Sequence, residues 1–171
     1  MEIFRIVLLT VAAIGIIWML YREYEREHQR QILAKKNMSF LESLNLTGLP
    51  IISFTNNGKT VNMVLDTGSN VCIINKKTLK DLNHEVSEEF HVGVTGISGE
   101  SEGGIIVTLP LAYRDMEFDF ECYVNDLSDT MDTIKKEYGV TIHGILGTGF
   151  FTKYKYILDF NSMIAYSLKK N

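Results

Sequence analysis

The chain has 171 residues, of which 46% are hydrophobic, and a net charge of -4; this fits one domain with appendages and enough apolar side chains for a core. No basic cluster stands out in the body, which argues against nucleic acid as a partner. Gly-x-x-x-x-Gly-Lys, Gly-x-Gly-x-x-Gly and Gly-x-Ser-x-Gly are all absent, and His28, His84, His91 and His143 lack ligand spacing, so neither a cofactor nor a metal is expected.

The first predicted element is a membrane-spanning helix over residues 3–21. Arg5 is its one charged side chain, and nineteen helical residues reach about 28 Å, the thickness of a bilayer's hydrocarbon. Trp18 and Tyr21 suit the far interface. The run ends in Trp-Met-Leu-Tyr-Arg-Glu with no small-residue cleavage pattern, which favours a retained anchor over a signal peptide. Residues 22–47 read as a juxtamembrane stalk and linker. Arg, Glu, Gln and Lys continue the helix to about residue 36, and an irregular connection follows. Arg22, Arg26, Arg30, Lys35 and Lys36 outnumber the charges before the span, so the positive-inside rule favours the cytoplasm for the body.

Residues 48–171 form the body, and it is β-rich. Ile51–Phe54 and Val61–Leu65 are strands around Asn57-Gly58, a hairpin signal because both residues tolerate positive φ. The second strand runs into Asp66-Thr67-Gly68-Ser69-Asn70, and Val71-Cys72-Ile73-Ile74 returns as strand. Strand, tight loop, strand holds Asp66 between buried flanks, as a catalytic carboxylate requires. Gly68 permits a close approach, and the Thr67 and Ser69 hydroxyls can bond the loop backbone or the carboxylate. An ordinary surface turn is the competing reading for these residues alone.

A short helix is expected over Thr78–Leu82, and residues 84–90 are polar and ambiguous. Glycines crowd Gly93 to Gly104, with Gly96-Ile97-Ser98-Gly99 at the centre, suggesting a hairpin tip. Strands over Ile105–Leu111 and Met116–Val124 turn near Arg114-Asp115. Asp126 or Ser128 caps a helix ending near Tyr138, with Gly139 past it. Ile142–Gly147 is strand, Thr148–Tyr154 a helical turn, and Tyr156–Phe160 with Met163–Leu168 a closing hairpin. Cys72 and Cys122 read as two buried thiols, with a disulfide left open.

Asp66-Thr67-Gly68-Ser69, followed some eighty residues later by Ile145-Leu146-Gly147, resembles the aspartic proteases of the retropepsin type. The resemblance covers residues 48 to 168. It implies an all-β, retropepsin-like acid-protease barrel, here preceded by the transmembrane helix and polar stalk. It makes Asp66 catalytic, Thr67, Gly68 and Ser69 its supporting loop, and Ile145-Leu146-Gly147 the segment threaded beneath that loop. Gly96, Ile97, Ser98 and Gly99 fall where the family has its flap, the hairpin that closes over bound peptide. Residues 124–140 look like an insertion.

Hydrolysis by carboxylates needs two, one to take a proton from water and one, protonated, to polarise the scissile carbonyl. Asp129-Thr130-Met131 and Asp132-Thr133-Ile134 lack the glycine, so the chain has one Asp-Thr-Gly. The second carboxylate is expected from a second copy across a two-fold axis. The function expected is a membrane-anchored, homodimeric aspartic endopeptidase acting on peptide or protein substrates. The alternative is a catalytically silent relative serving as a dimerisation or peptide-binding module. A Ser69 hydroxyl on the carboxylate would tune the site, and mildly acidic pH is expected to suit activity.

Overall fold

The computed structural model describes residues 1–36, 38–90, 94–96, 99–101 and 104–167. A single helix, α1 (Glu2–Lys36), opens the chain. Its apolar stretch, Glu2–Gln29, is long enough to cross a membrane and has none of its surface buried against the body. By length and composition it fits either a membrane span or a signal sequence. The polar stalk expected after the span is the same helix continued.

The irregular connection expected next is instead β1 (Met38–Ser39) and α2 (Leu41–Thr47). Both belong to the body: Met38 and Phe40 are almost wholly buried in the main core. The Ser43 hydroxyl bonds both N–H and C=O of Ile51, pinning α2 to the next strand. Gly48 ends α2 with a φ of 70°, a left-handed backbone suited to glycine.

β2 (Ile51–Asn56) and β3 (Lys59–Leu65) form the expected hairpin, and Asn57 and Gly58 both take positive φ. β4 (Ile73–Asn75) follows the Asp66 loop and leads into α3 (Lys76–Leu79). That helix starts earlier than expected because the Asn75 side chain accepts from the Lys77 N–H and caps it. The ambiguous stretch is β5 (Glu85–Phe90). β6 (Val94–Gly96) and β7 (Gly99–Ser101) pair antiparallel, with Gly96 opposite Gly99. Ile97 and Ser98, the rest of the expected flap tip, lie outside the described residues.

β8 (Gly104–Tyr113) and β9 (Met116–Asn125) are long antiparallel partners joined at Arg114 and Asp115. In α4 (Ser128–Tyr138) the N-cap position falls on Leu127, not on Asp126 or Ser128 as expected, and the Asp126 carboxylate accepts from the Ser128 N–H and hydroxyl just ahead of the helix. Those bonds hold the Asp126 pKa below the ordinary carboxylate range. β10 (Gly144–Leu146) is shorter than expected, and α5 (Thr148–Tyr154) follows directly. β11 (Tyr156–Asp159) and β12 (Ile164–Ser167) close the chain as an antiparallel pair.

Six strands form a closed barrel in the order β2-β3-β10-β4-β9-β8, returning to β2 through a pairing of Thr55 with Ala112. At that seam the buried Asn56 side chain donates to the carbonyls of Asn83 and Pro110 and accepts from the Asn83 N–H. β5 adds to the barrel's edge beside β8. Inside, Phe54, Phe118, Phe120 and Phe150 meet largely edge to face, a favoured arrangement for aromatic rings. A separate sheet, β1-β12-β11, packs the two ends of the body together. A smaller cluster of Ile51, Met131 and Ile142 seats α4.

Candidate active site

β10 comes late in the chain yet lies between β3 and β4, parallel to β3. The loop joining β3 to β4 must therefore cross the end of β10. Leu65 sits opposite Leu146, so Asp66 and Gly147 emerge side by side at one end of the barrel. Sequence distance between the two motifs disappears in this register.

The crossing is tightly fastened. The Asp66 N–H donates to the Leu146 carbonyl at 2.9 Å. The Thr148 N–H donates to the Ser69 carbonyl at 2.8 Å, and the Gly149 N–H to the Asn70 carbonyl at 3.3 Å. Gly147 is buried directly below, and a Cβ there would lie 2.2 Å from the Val71 carbonyl oxygen and 2.7 Å from that of Ser69. Only glycine allows that approach. Gly144 meets a similar limit at 2.4 Å from the Ile73 carbonyl.

Within the loop, the Gly68 N–H donates to Asp66 Oδ1 at 2.8 Å. The Ser69 N–H donates to the Asp66 carbonyl at 3.3 Å, tightening the turn. The Ser69 hydroxyl donates to the Val71 carbonyl at 2.8 Å. Of the two options open to that hydroxyl, the structure takes the backbone one, so Ser69 shapes the loop and Gly68 supports the carboxylate. Asp66 is half-buried, while Thr67 and Gly68 face outward. The carboxylate is thus held from behind by backbone and left open in front.

Beside the loop, against α5 and β11, lies an open, apolar cleft of about 480 Å³, lined by Thr67, Thr148, Phe151, Thr152, Lys155, Tyr156, Ile157 and Leu158. Burial pushes the Tyr156 phenol up to about 12. Sequence reasoning found Ile145, Leu146 and Gly147 but missed Thr148 and Gly149, whose N–H groups hold the loop's far side. Gly147-Thr148-Gly149, with its second Thr-Gly after that of Asp66-Thr67-Gly68, was the available signal.

Behind the loop, the topology brings Cys72, just ahead of β4, together with Cys122 on the parallel neighbour β9, both free and buried. Cys72 is hydrogen-bonded by Cys122 and by the backbone of Gly147 and Phe150, which draws its pKa down despite its burial. Burial pushes the Cys122 thiol well up, so it keeps its proton. His143 lies beside β3: its N–H donates to the Asn62 carbonyl, and its Nδ1 accepts from the Asn62 N–H at 3.0 Å. Burial draws its pKa down. Among the described residues no group of three His, Cys, Asp or Glu side chains is placed to hold a metal. Gly96 and Gly99 stand on the β6-β7 ribbon between β5 and β8, which among the described residues is a sheet separate from the barrel.

A family model described as aspartyl protease matches residues 52–150, more than half of the chain. Among solved structures, the EIAV protease complexed with the inhibitor HBY-793 matches with a TM-score of 0.46 at 17% identity, covering 64% of this chain and 90% of that one. The retroviral protease-like domain of Ddi1 from Leishmania major matches with a TM-score of 0.46 at 15% identity, covering 72% and 90%. A retropepsin-like aspartic protease from Rickettsia conorii matches with a TM-score of 0.43 at 15% identity, covering 72% and 82%. Among curated protein sequences there is no significant match.

Proposed function

The chain belongs to the aspartyl protease family, and from that premise we propose that it is a membrane-anchored aspartic endopeptidase working as a homodimer. The observation carrying this reading is the fastening of the Asp66 loop over Gly147, with the half-buried carboxylate supported by the Gly68 N–H and its neighbour Thr67 lining a cleft. A turn with no chemical task has no need of so many backbone bonds around one half-exposed carboxylate.

Asp66 and its copy face one another across the two-fold axis and share a proton, since two adjacent carboxylates do not readily both ionise. The ionised member takes a proton from a water molecule, whose oxygen attacks the scissile carbonyl carbon. The protonated member polarises the carbonyl oxygen. Collapse of the tetrahedral intermediate then passes a proton to the leaving amine. The ribbon bearing Gly96 and Gly99 serves as the flap, and an extended peptide pairs with it. α1 anchors the body, and its basic stalk favours the cytoplasmic side.

The test uses the full chain in detergent micelles beside its Asp66→Asn variant, each incubated with a diverse peptide mixture from pH 4 to 7. Cuts made by the native chain and lost by at least about a thousandfold in the variant are expected, as for removal of a catalytic group. Cuts that survive the substitution would refute the assignment of Asp66. Peptide bound but never cut by a folded dimer would make the chain a binding module instead.

A further inference from the structure

Three features of the chain limit where the active site can work. The apolar part of α1 is unburied, and the helix runs on unbroken to Lys36. Residues 22–36 therefore rise about 22 Å from the bilayer if the stalk stands upright. A single residue, 37, separates that helix from β1, whose first residue, Met38, is buried and paired with Ala165 of β12. One residue spans no more than about 7 Å between its neighbouring Cα atoms. The body has no long tether on which to swing away.

The same sheet leads to the catalytic loop. β1 is two strand spacings from β11, about 10 Å. β11 shares with Thr67 the walls of one cleft, next to Asp66. The catalytic carboxylate thus stays within about 50 Å of the bilayer surface, the limit reached when stalk and body extend in line. Tilting the stalk only lowers it.

Resting on the membrane-anchored protease proposed above, we infer that its substrates are proteins anchored in the same membrane, cut in an extended segment close to the bilayer. An extended chain covers about 3.3 Å per residue, so a straight segment places its first fifteen or so residues within reach. Confinement of enzyme and substrate to one surface raises their effective concentration, whereas a soluble peptide gains nothing from the anchor. A folded domain held far above the same face of the membrane is out of range.

The experiment places the full chain in phosphatidylcholine vesicles with synthetic transmembrane peptides. Each peptide carries the sequence cut fastest in the mixture above, about 30 Å from the bilayer or on a rigid helical spacer at about 100 Å. The Asp66→Asn chain is the blank. The near site is expected to be cut at least about tenfold faster than the far one, as tethering predicts. Fourteen helical residues added to the stalk should move the limiting distance outward by about 20 Å. Equal rates at both distances, or a limit unmoved by the longer stalk, would overturn the inference. So would chain that fails to float with the vesicles. Soluble peptide cut as fast as the anchored near site at equal bulk concentration sinks this inference alone. No cut of any format removes the protease reading and the inference with it.

Discussion

The N–H of Asp66 reaches the carbonyl of Leu146 at 2.9 Å, although eighty positions separate them in the chain. That bond exists because β10 runs parallel to β3 and ends where the Asp66 loop begins. Loop and underlying segment are one unit, and what disturbs either should disturb both. Gly147→Ala drives a Cβ to 2.2 Å from the Val71 carbonyl oxygen. It should cost about 2–4 kcal/mol in stability, at the severe end for overpacking because backbone has to move. Denaturant titration measures the loss, and peptide cleavage should fall with it. A folded, fully active Gly147→Ala chain would show that the loop rests elsewhere.

Ser69→Ala separates two roles for one hydroxyl. Its hydroxyl donates to the Val71 carbonyl. Removal should therefore lower stability by about 1 kcal/mol, the net worth of a typical hydrogen bond. The pH profile of cleavage should keep its shape. A displaced acidic limb would mean that the hydroxyl reaches the carboxylate during the reaction.

His143 predicts how the fold responds to acid. Burial lowers its pKa from the ordinary value of 6.5, so the unfolded chain binds the proton more readily than the folded one. Its contribution is complete above about pH 6.5 and is lost as pH falls toward the depressed folded value. His143→Gln should flatten stability against pH over that interval, measured by thermal unfolding at stepped pH. An undiminished slope would assign it to the carboxylates.

The two cysteines should resist modification while the chain is folded. Both are buried, and Cys122 holds its proton firmly. An aromatic disulfide reagent should label neither within an hour under native conditions and both in guanidinium. Rapid native labelling of Cys72 would mean that the Gly147 segment opens often enough to expose it.

Phe40→Ala tests where the body begins. Phe40 is almost fully buried, packs at a tilt against Phe160 with ring centroids 5.3 Å apart, and donates its N–H to the Met163 carbonyl. Its truncation should cost about 3–5 kcal/mol, as for other buried phenylalanines. Loss of less than 1 kcal/mol would return residues 38–47 to the role of a linker.

What the sequence made legible was local. Asn57-Gly58 announced its hairpin because few residues accept positive φ, and the Asp66 loop stood out between two apolar runs. Met38 and Phe40 were hidden because the core they fill is supplied by β12, at the other end of the chain. Two buried side chains amid polar neighbours leave no period to read. β5 was obscured for a similar reason: a charged edge strand takes its order from β8. The helix α3 starts earlier than expected because Asn75, the last residue of β4, also caps it, a role that the apolar run before it does not announce. Ser69 was identified correctly as a loop residue, yet its acceptor depended on where Val71 came to rest. Each miss involves a partner that only the three-dimensional path brings near.

Asn56 carries a consequence for how the barrel yields. β2 and β8 meet through one backbone pairing, and the Asn56 amide stitches what is left by bonding Asn83 and Pro110. Side-chain stitching releases all at once when its single residue lets go. This clasp lies at the hairpin end of β2, whereas Asp66 leaves the opposite end of β3, seven strand residues and about 23 Å away. A barrel that unfastens there relaxes like a cuff with one button undone, with its working edge still held in shape at the far end.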